Sequence, residues 1–179
     1  MTTHGKHGHT IDDSMSTALR LLIHYCGDVH QPLHASTRVD KAYPSGDRGG
    51  NDFPLPNSLK ELHAVWDSVM FEFSGYPKLP FNDADWDQNG KDAKRIMASY
   101  PKSSIKDVDS LDDTLWANES YEITKNFVYT GIEENKPLPS SYKTKGRKIA
   151  EKRIATGGYR LAHLMKTIFG SAQEEMFLQ

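Results

Sequence analysis

The side chains best suited to chemistry lie in two short runs of histidine and aspartate. Ile23-His24-Tyr25-Cys26-Gly27-Asp28-Val29-His30-Gln31-Pro32-Leu33-His34 places three imidazoles and a carboxylate within a dozen residues. His24 and Asp28 are four apart, so on a helix they share a face about 6 Å apart along the axis and can close on one ion. The same order and spacing recurs at His63 and Asp67 in Glu61-Leu62-His63-Ala64-Val65-Trp66-Asp67-Ser68. Imidazole with carboxylate is a donor set for zinc, and three protein donors with an open fourth position is the catalytic arrangement. His34, beyond Pro32, can complete such a set with His63 and Asp67. A single His–Asp pair on a helix surface would be worth only roughly a few tenths of a kcal/mol. Two such pairs plus a third histidine, all between residues 24 and 67 and flanked by Leu21, Leu22, Ile23, Leu62, Val65 and Trp66, favour a shared ion instead.

Other residues nearby admit two readings. Gly27 is read as a close helix crossing, and otherwise as an opening toward the metal cluster. His30 is six residues from His24, points to another face, and is expected to support or cap rather than ligate. Asp47-Arg48-Gly49-Gly50-Asn51-Asp52 is either an ordinary turn-rich loop or the border of a substrate cleft, since it joins the two donor-bearing segments. His4, His7 and His9 belong to a stretch read as a flexible leader or tag, residues 1–10, ahead of one domain over 11–179.

The elements that must position these residues read as helices. Met15, Ala18, Leu22 and Tyr25 or Cys26 recur at helical spacing, predicting a helix from about Asp12 to His30, ended by Pro32. Residues 35–57 carry Pro44, Gly46, Gly49, Gly50, Pro54 and Pro56 and predict a long loop. Asn57-Ser58 predicts the cap of a second helix running to about Phe73. A third is expected over Asp85–Ala98 and a fourth from Ser104 or Asp107 to Tyr129. After Pro137 and Pro139, Ser140-Ser141 opens a last helix whose apolar face is Ile149, Ile154, Leu161, Leu164, Met165 and Ile168, with Gly170 as its stop. No strand pattern competes, so the fold class is all-α.

Composition bounds the function. The 179 residues include 22 Lys+Arg and 24 Asp+Glu, a formal net charge of −2. That length suits one domain. The charge excludes a nucleic-acid coat that binds through excess basic residues. It leaves a nuclease open, because metal ions can supply the positive charge. Cys26 is the one cysteine, so no intrachain disulfide forms. No run approaches 18 apolar residues, so no transmembrane segment is expected. MTTHGKHGHT lacks the apolar stretch of a signal peptide.

Taken in order, His24-x-x-Gly27-Asp28-x-His30-Gln31-Pro32-Leu33-His34, Asp47-Arg48-Gly49-Gly50-Asn51-Asp52 and Leu62-His63-x-x-Trp66-Asp67-Ser68 resemble the zinc-dependent single-strand-specific nucleases of fungi and plants. Trypanosomatid 3'-nucleotidase/nucleases and bacterial zinc phospholipase C share that superfamily. Trp116-Ala117-x-Glu119-Ser120, Val128-Tyr129 and Gly157-Gly158-x-Arg160-Leu161-Ala162 extend the resemblance over roughly residues 14–170. It implies a mostly helical fold with three zinc ions at the bottom of a cleft. His34, His63 and Asp67 would hold one zinc, His24 and Asp28 a second, and Asp28 would bridge to the third as the catalytic carboxylate. The implied reaction is hydrolysis of a phosphodiester in single-stranded DNA or RNA, or of a 3'-nucleotide, by activated water. The family's remaining zinc ligands, its catalytic Asp-Arg pair and its base-stacking aromatic lie upstream of the first helix. The chain is therefore expected to be the C-terminal two-thirds of a family member, with a missing N-terminal segment as partner and little activity alone. Family members are usually secreted and disulfide-bonded, a route in which Asn118-Glu119-Ser120 would be a glycosylation sequon. The alternatives are phospholipase C-like hydrolysis of a headgroup, or a catalytically dead zinc-binding or partner-binding module.

Overall fold

A computed structural model describes residues 10–75, 77 and 79–177, with side chains described as far as residue 170. Its elements are helical, and the described residues form no sheet beyond one isolated antiparallel bridge between Pro54 and Glu61. The all-α expectation holds. The leader histidines His4, His7 and His9 lie outside the described residues. Thr10, expected in the leader, instead caps the first helix α1 (Ile11–Asp28), exchanging hydrogen bonds with Asp13 in a capping box.

The apolar stripe expected to bury α1 stays largely exposed. Met15 and Tyr25 are each 61% exposed, and Cys26 is its one buried residue. The helix stops at Asp28, ahead of His30, and after Gln31 a short 3₁₀ turn (Pro32–Ala35) follows. Gly27 is no crossing point, since a Cβ there would meet nothing within 4 Å.

The second helix is much shorter than expected. Asn57 Oδ1 accepts from the Leu59 and Lys60 amides. Leu55 then pairs with Lys60, and Leu62 with Phe53. Asparagine thus closes a local turn rather than opening a helix. Helix α2 covers only Leu62–Asp67, and left-handed backbone at Val69, Met70 and Phe71 ends it. Helix α3 (Asp83–Ser99) begins at an Asn82–Asp85 capping box, two residues before the expected start.

The expected fourth helix starts later and is two pieces, with a separate turn ahead of it. A 3₁₀ turn spans Lys102–Ser104, helix α4 spans Asp113–Ile123 with Asp112 as its cap, and a π-helical turn spans Thr124–Val128. At the π turn the Thr124 hydroxyl lies within hydrogen-bond distance of both the Ser120 and Pro32 carbonyls, a side-chain insertion of the sort that distorts a helix. Helix α5 (Ser140–Phe177) runs through Gly170 instead of stopping there.

The buried stripe of α5 differs from the expected apolar one. Tyr142, Gly146, Ala150, Arg153, Gly157 and Arg160 are all buried and recur at intervals of four or three residues. Ile154 and Ile168 are more than 40% exposed. The two glycines allow close packing, since a Cβ on Gly146 would lie 3.0 Å from Met70 Sδ and one on Gly157 3.2 Å from His30 Cγ. The main core gathers Leu33, Phe53, Leu62, Val65, Trp66, Val128 and Tyr142. Within it, the Trp66 indole donates to the Tyr142 hydroxyl (3.0 Å), which donates to the Val128 carbonyl (2.6 Å). That chain anchors α2 against α5 and the π turn.

Candidate metal centre

Three short elements converge on one spot: the end of α1, the 3₁₀ turn and α2. His34, His63 and Asp67 each present one donor atom there, and these atoms lie within 4.8 Å of one another. His34 Nε2 is 3.4 Å from Asp67 Oδ1, and His63 Nε2 is 3.4 Å from Asp67 Oδ2. Such distances exceed a normal N–H···O bond. Each is roughly the 3.3–3.4 Å edge of a tetrahedron with metal–ligand bonds of about 2.0–2.1 Å, but the two contacts run to different oxygens of the one carboxylate. Capture of one ion by a single carboxylate oxygen would therefore draw the groups together. The two imidazoles are stacked, with centroids 4.8 Å apart.

Asp28 and His24 form a second pair, His24 Nε2 standing 3.3 Å from Asp28 Oδ2. The same carboxylate oxygen is 3.4 Å from His34 Nδ1. His34 therefore lies between the two carboxylates. His24, expected on the apolar side of its helix, is exposed, with 64% of its side chain accessible. Among the described residues, His24 and Asp28 do not join a three-donor group of their own.

The glycine-rich loop, evenly weighed between turn and cleft border, serves as the mount for His63. His63 Nδ1 is 2.8 Å from the Gly49 carbonyl oxygen. A carbonyl only accepts, so Nδ1 carries the proton and Nε2 keeps its lone pair for an ion. The His63 amide also donates to Gly50 O. Behind the loop, Asp47 is fully buried and accepts from the Tyr129 hydroxyl (2.6 Å) and the Arg38 amide (2.9 Å). Gly49 has φ +64°, and a Cβ there would collide with the Leu33 carbonyl oxygen. Gly49→Ala is thus expected to lower stability by about 2 kcal/mol and to displace the carbonyl that holds His63. Urea unfolding and zinc affinity check this, and wild-type values in both would contradict it.

Charge follows the geometry. The contact with Asp67 raises the His34 pKa against burial, with the Asp28 and Asp67 charges adding to it. Burial opposes ionisation of Asp67, but its contact with His34, a hydrogen bond from Gln31 and the charges of His63 and His34 hold its carboxyl below the usual range.

His30, expected to support or cap rather than ligate, is buried in the core. Its Nδ1 lies 2.7 Å from Cys26 O, and its Nε2 takes a hydrogen bond from Arg160 Nη1. Arg160 and Arg153 both clasp Glu119, and Arg153 also donates to the His30 carbonyl. This network joins α1, α4 and α5 behind the cleft. Nothing in the spacing of Arg153, Arg160 and Glu119 marked it.

Burial, with the Arg153 charge, pushes the His30 pKa from 6.5 down to about 4. The fold thus favours the neutral ring, and its contribution is complete above pH 6.5. It is lost as pH falls from 6.5 to 4, an effect of about 3 kcal/mol. His34 acts in a different window, contributing fully below pH 6.5 and losing its effect as pH rises. Urea midpoints of metal-free protein should therefore fall between pH 6.5 and 4, and a flat profile there would contradict a neutral buried His30.

A cleft of about 600 Å³ opens beside the donors. His24, Asp28, His34 and Asp67 line it, with Ile23, Ile154 and Leu161 as apolar wall and Gly157 and Gly158 as floor. Its one lysine or arginine among the described residues is Arg153, whose guanidinium donates to Glu119, Trp116 O, Ser120 Oγ and His30 O.

The profile of the S1/P1 nuclease family matches residues 1–170. The chain belongs to the S1/P1 nuclease family. Endonuclease 3 of Arabidopsis thaliana is 27% identical over 179 residues, covering 90% of this chain and 54% of that protein. Endonuclease 2 of the same plant is 28% identical, with 88% and 53% covered. Nuclease S1 of Aspergillus oryzae is 28% identical, with 81% and 52% covered. The chain thus spans about half the length of the curated relatives it matches. The S1/P1 assignment agrees with the helical fold and with the family read from the histidine–aspartate runs. No helix of the described residues is long and apolar enough to cross a membrane.

Proposed function

We propose that this chain carries part of the active site of a zinc-dependent phosphodiesterase acting on single-stranded DNA or RNA and on 3'-nucleotides. The observation that carries this reading is the His34–His63–Asp67 group at the edge of a cleft, in a chain of the S1/P1 nuclease family. Two imidazoles and a carboxylate with donor atoms within 4.8 Å of one another suit zinc. His63 Nε2, His34 Nε2 and the Asp67 carboxylate would hold one ion, and His24 with Asp28 would contribute to another.

Bound zinc supplies a Lewis acid for the phosphate and a water acidic enough to attack at neutral pH. The residues of the chain do the rest. Gly49 O sets the tautomer of His63, so that Nε2 is left for an ion beside Asp67. Asp28, one third exposed, faces the cleft beside His34 and is the carboxylate best placed to orient a water. Arg153 is already committed to four partners, so among the described residues the cleft offers the phosphate no free cation of its own. That leaves charge neutralisation to metal, in accord with the net charge of −2. Ile23, Ile154 and Leu161 form an apolar wall against which an unstacked base can lie. A duplex keeps its bases inside, which favours single strands.

The test is cleavage of single-stranded DNA with zinc present, comparing the chain with His63→Ala and Asp28→Asn. His24 and Asp28 supply only two donors, so slow zinc-dependent cleavage is expected, abolished in both variants. Zinc binding without turnover in any chain would favour the metal-binding module instead.

A further inference from the structure

We infer that Gln31 is a positioning residue that holds two of the metal donors at once; this rests on the metal reading of His34, His63 and Asp67. Gln31 Nε2 donates to Asp67 Oδ1 at 2.8 Å. Its Oε1 accepts from the Leu33 amide. The orientation of the amide is settled by chemistry, because the Leu33 N–H can only donate and so must face the oxygen.

Each bond acts on a different ligand-bearing element. Gln31 is the N-cap of the 3₁₀ turn Pro32–Ala35. Proline has no N–H, so Leu33 offers the first backbone donor of that turn, and the Gln31 carbonyl satisfies it. His34 is the next residue. The other end of the same side chain reaches Asp67, 36 positions along, at the end of α2. Asp67 is the more exposed donor, with 46% of its side chain accessible. Apart from the His34 and His63 rings, Gln31 is the side chain that bonds to it among the described residues. Gln31 fixes Oδ1, the oxygen that faces His34 Nε2, and so sets the plane of the carboxylate whose other oxygen, Oδ2, faces His63 Nε2.

Two variants separate the two bonds. Gln31→Asn keeps a carbonyl able to cap Leu33, since asparagine is a strong cap, but is one methylene too short for Asp67. Gln31→Met loses both bonds at similar volume. Zinc affinity is read by competition with a chromophoric chelator, and geometry by the visible spectrum of the cobalt-loaded protein. Loss of such an outer partner weakens metal binding roughly 10–100-fold. Gln31→Asn should show that loss and an altered cobalt spectrum, with the metal-free unfolding midpoint unchanged. Gln31→Met should weaken zinc at least as much and also lower the metal-free midpoint. Zinc affinity in Gln31→Asn within twofold of the unmodified chain would overturn the proposal and leave Gln31 a cap alone. An unmodified chain that binds no more zinc than His63→Ala would overturn the metal reading itself, and the proposal with it.

Discussion

Replacing His63 with alanine should remove about one zinc ion per chain and abolish most of the zinc-dependent rise in melting temperature. His63 is half-buried, its ring orientation is set by Gly49 O, and its Nε2 faces Asp67. Alanine leaves His34 and Asp67, a pair without the geometry of a three-donor site. An ion that binds only the folded chain stabilises it by about 2.7 kcal/mol at a free concentration 100 times Kd. That increment should appear as a clear shift in the unmodified chain and nearly vanish in the variant. Catalysis should fall by at least ~10²-fold, the scale seen when one electrostatic stabiliser is lost from an active site. Metal analysis after gel filtration and paired melts with and without zinc give the answer. Equal zinc content in the two proteins would refute the site.

The largest structural effect is expected from Arg160→Met. Arg160 is fully buried and donates to both oxygens of Glu119, at 2.8 and 2.7 Å, to His30 Nε2 and to the Asp107 carbonyl. Methionine keeps much of the volume but leaves Glu119 to Arg153 alone and strips His30 of its donor. Breaking a buried pair from one side costs about 3–5 kcal/mol, which lowers Tm by roughly 10 °C in a domain of this size. Lysine should not rescue it, since an ammonium cannot span both Glu119 oxygens and reach His30. Because the network backs the Cys26–His30 segment, the cleft should loosen together with the fold. A loss below about 1 kcal/mol would mean that the network is not a keystone.

The candidate donors were legible because helical spacing announces itself: His63–Asp67 and His24–Asp28 sit at i, i+4, and their residue types suit zinc. The grouping of His34 with His63 and Asp67 followed from counting donors. What mounts them was not legible. The bond from His63 Nδ1 goes to a backbone carbonyl, and any residue at position 49 has one. Only the glycine's left-handed backbone and its approach to Leu33 make that position special. Local competition hid the true lengths of helices. Asn57 is an apt cap, yet it closes a turn, and the Leu62–Val65–Trp66 spacing suits one helical turn as well as four. Helix α5 misled for a different reason. Its inward face is glycine, alanine, tyrosine and two arginines, and hydrophobic periodicity does not register the glycines or the arginines. Arg153 and Arg160 are buried only because Glu119, on another helix, meets them.

Anomalous scattering at the zinc absorption edge, from a crystal of the zinc-loaded chain, tests the central claim most directly. The strongest peak should lie between His34 Nε2, His63 Nε2 and the Asp67 carboxylate, at about 2.0–2.2 Å from each. A strongest peak elsewhere, with those three side chains unliganded, would contradict the account.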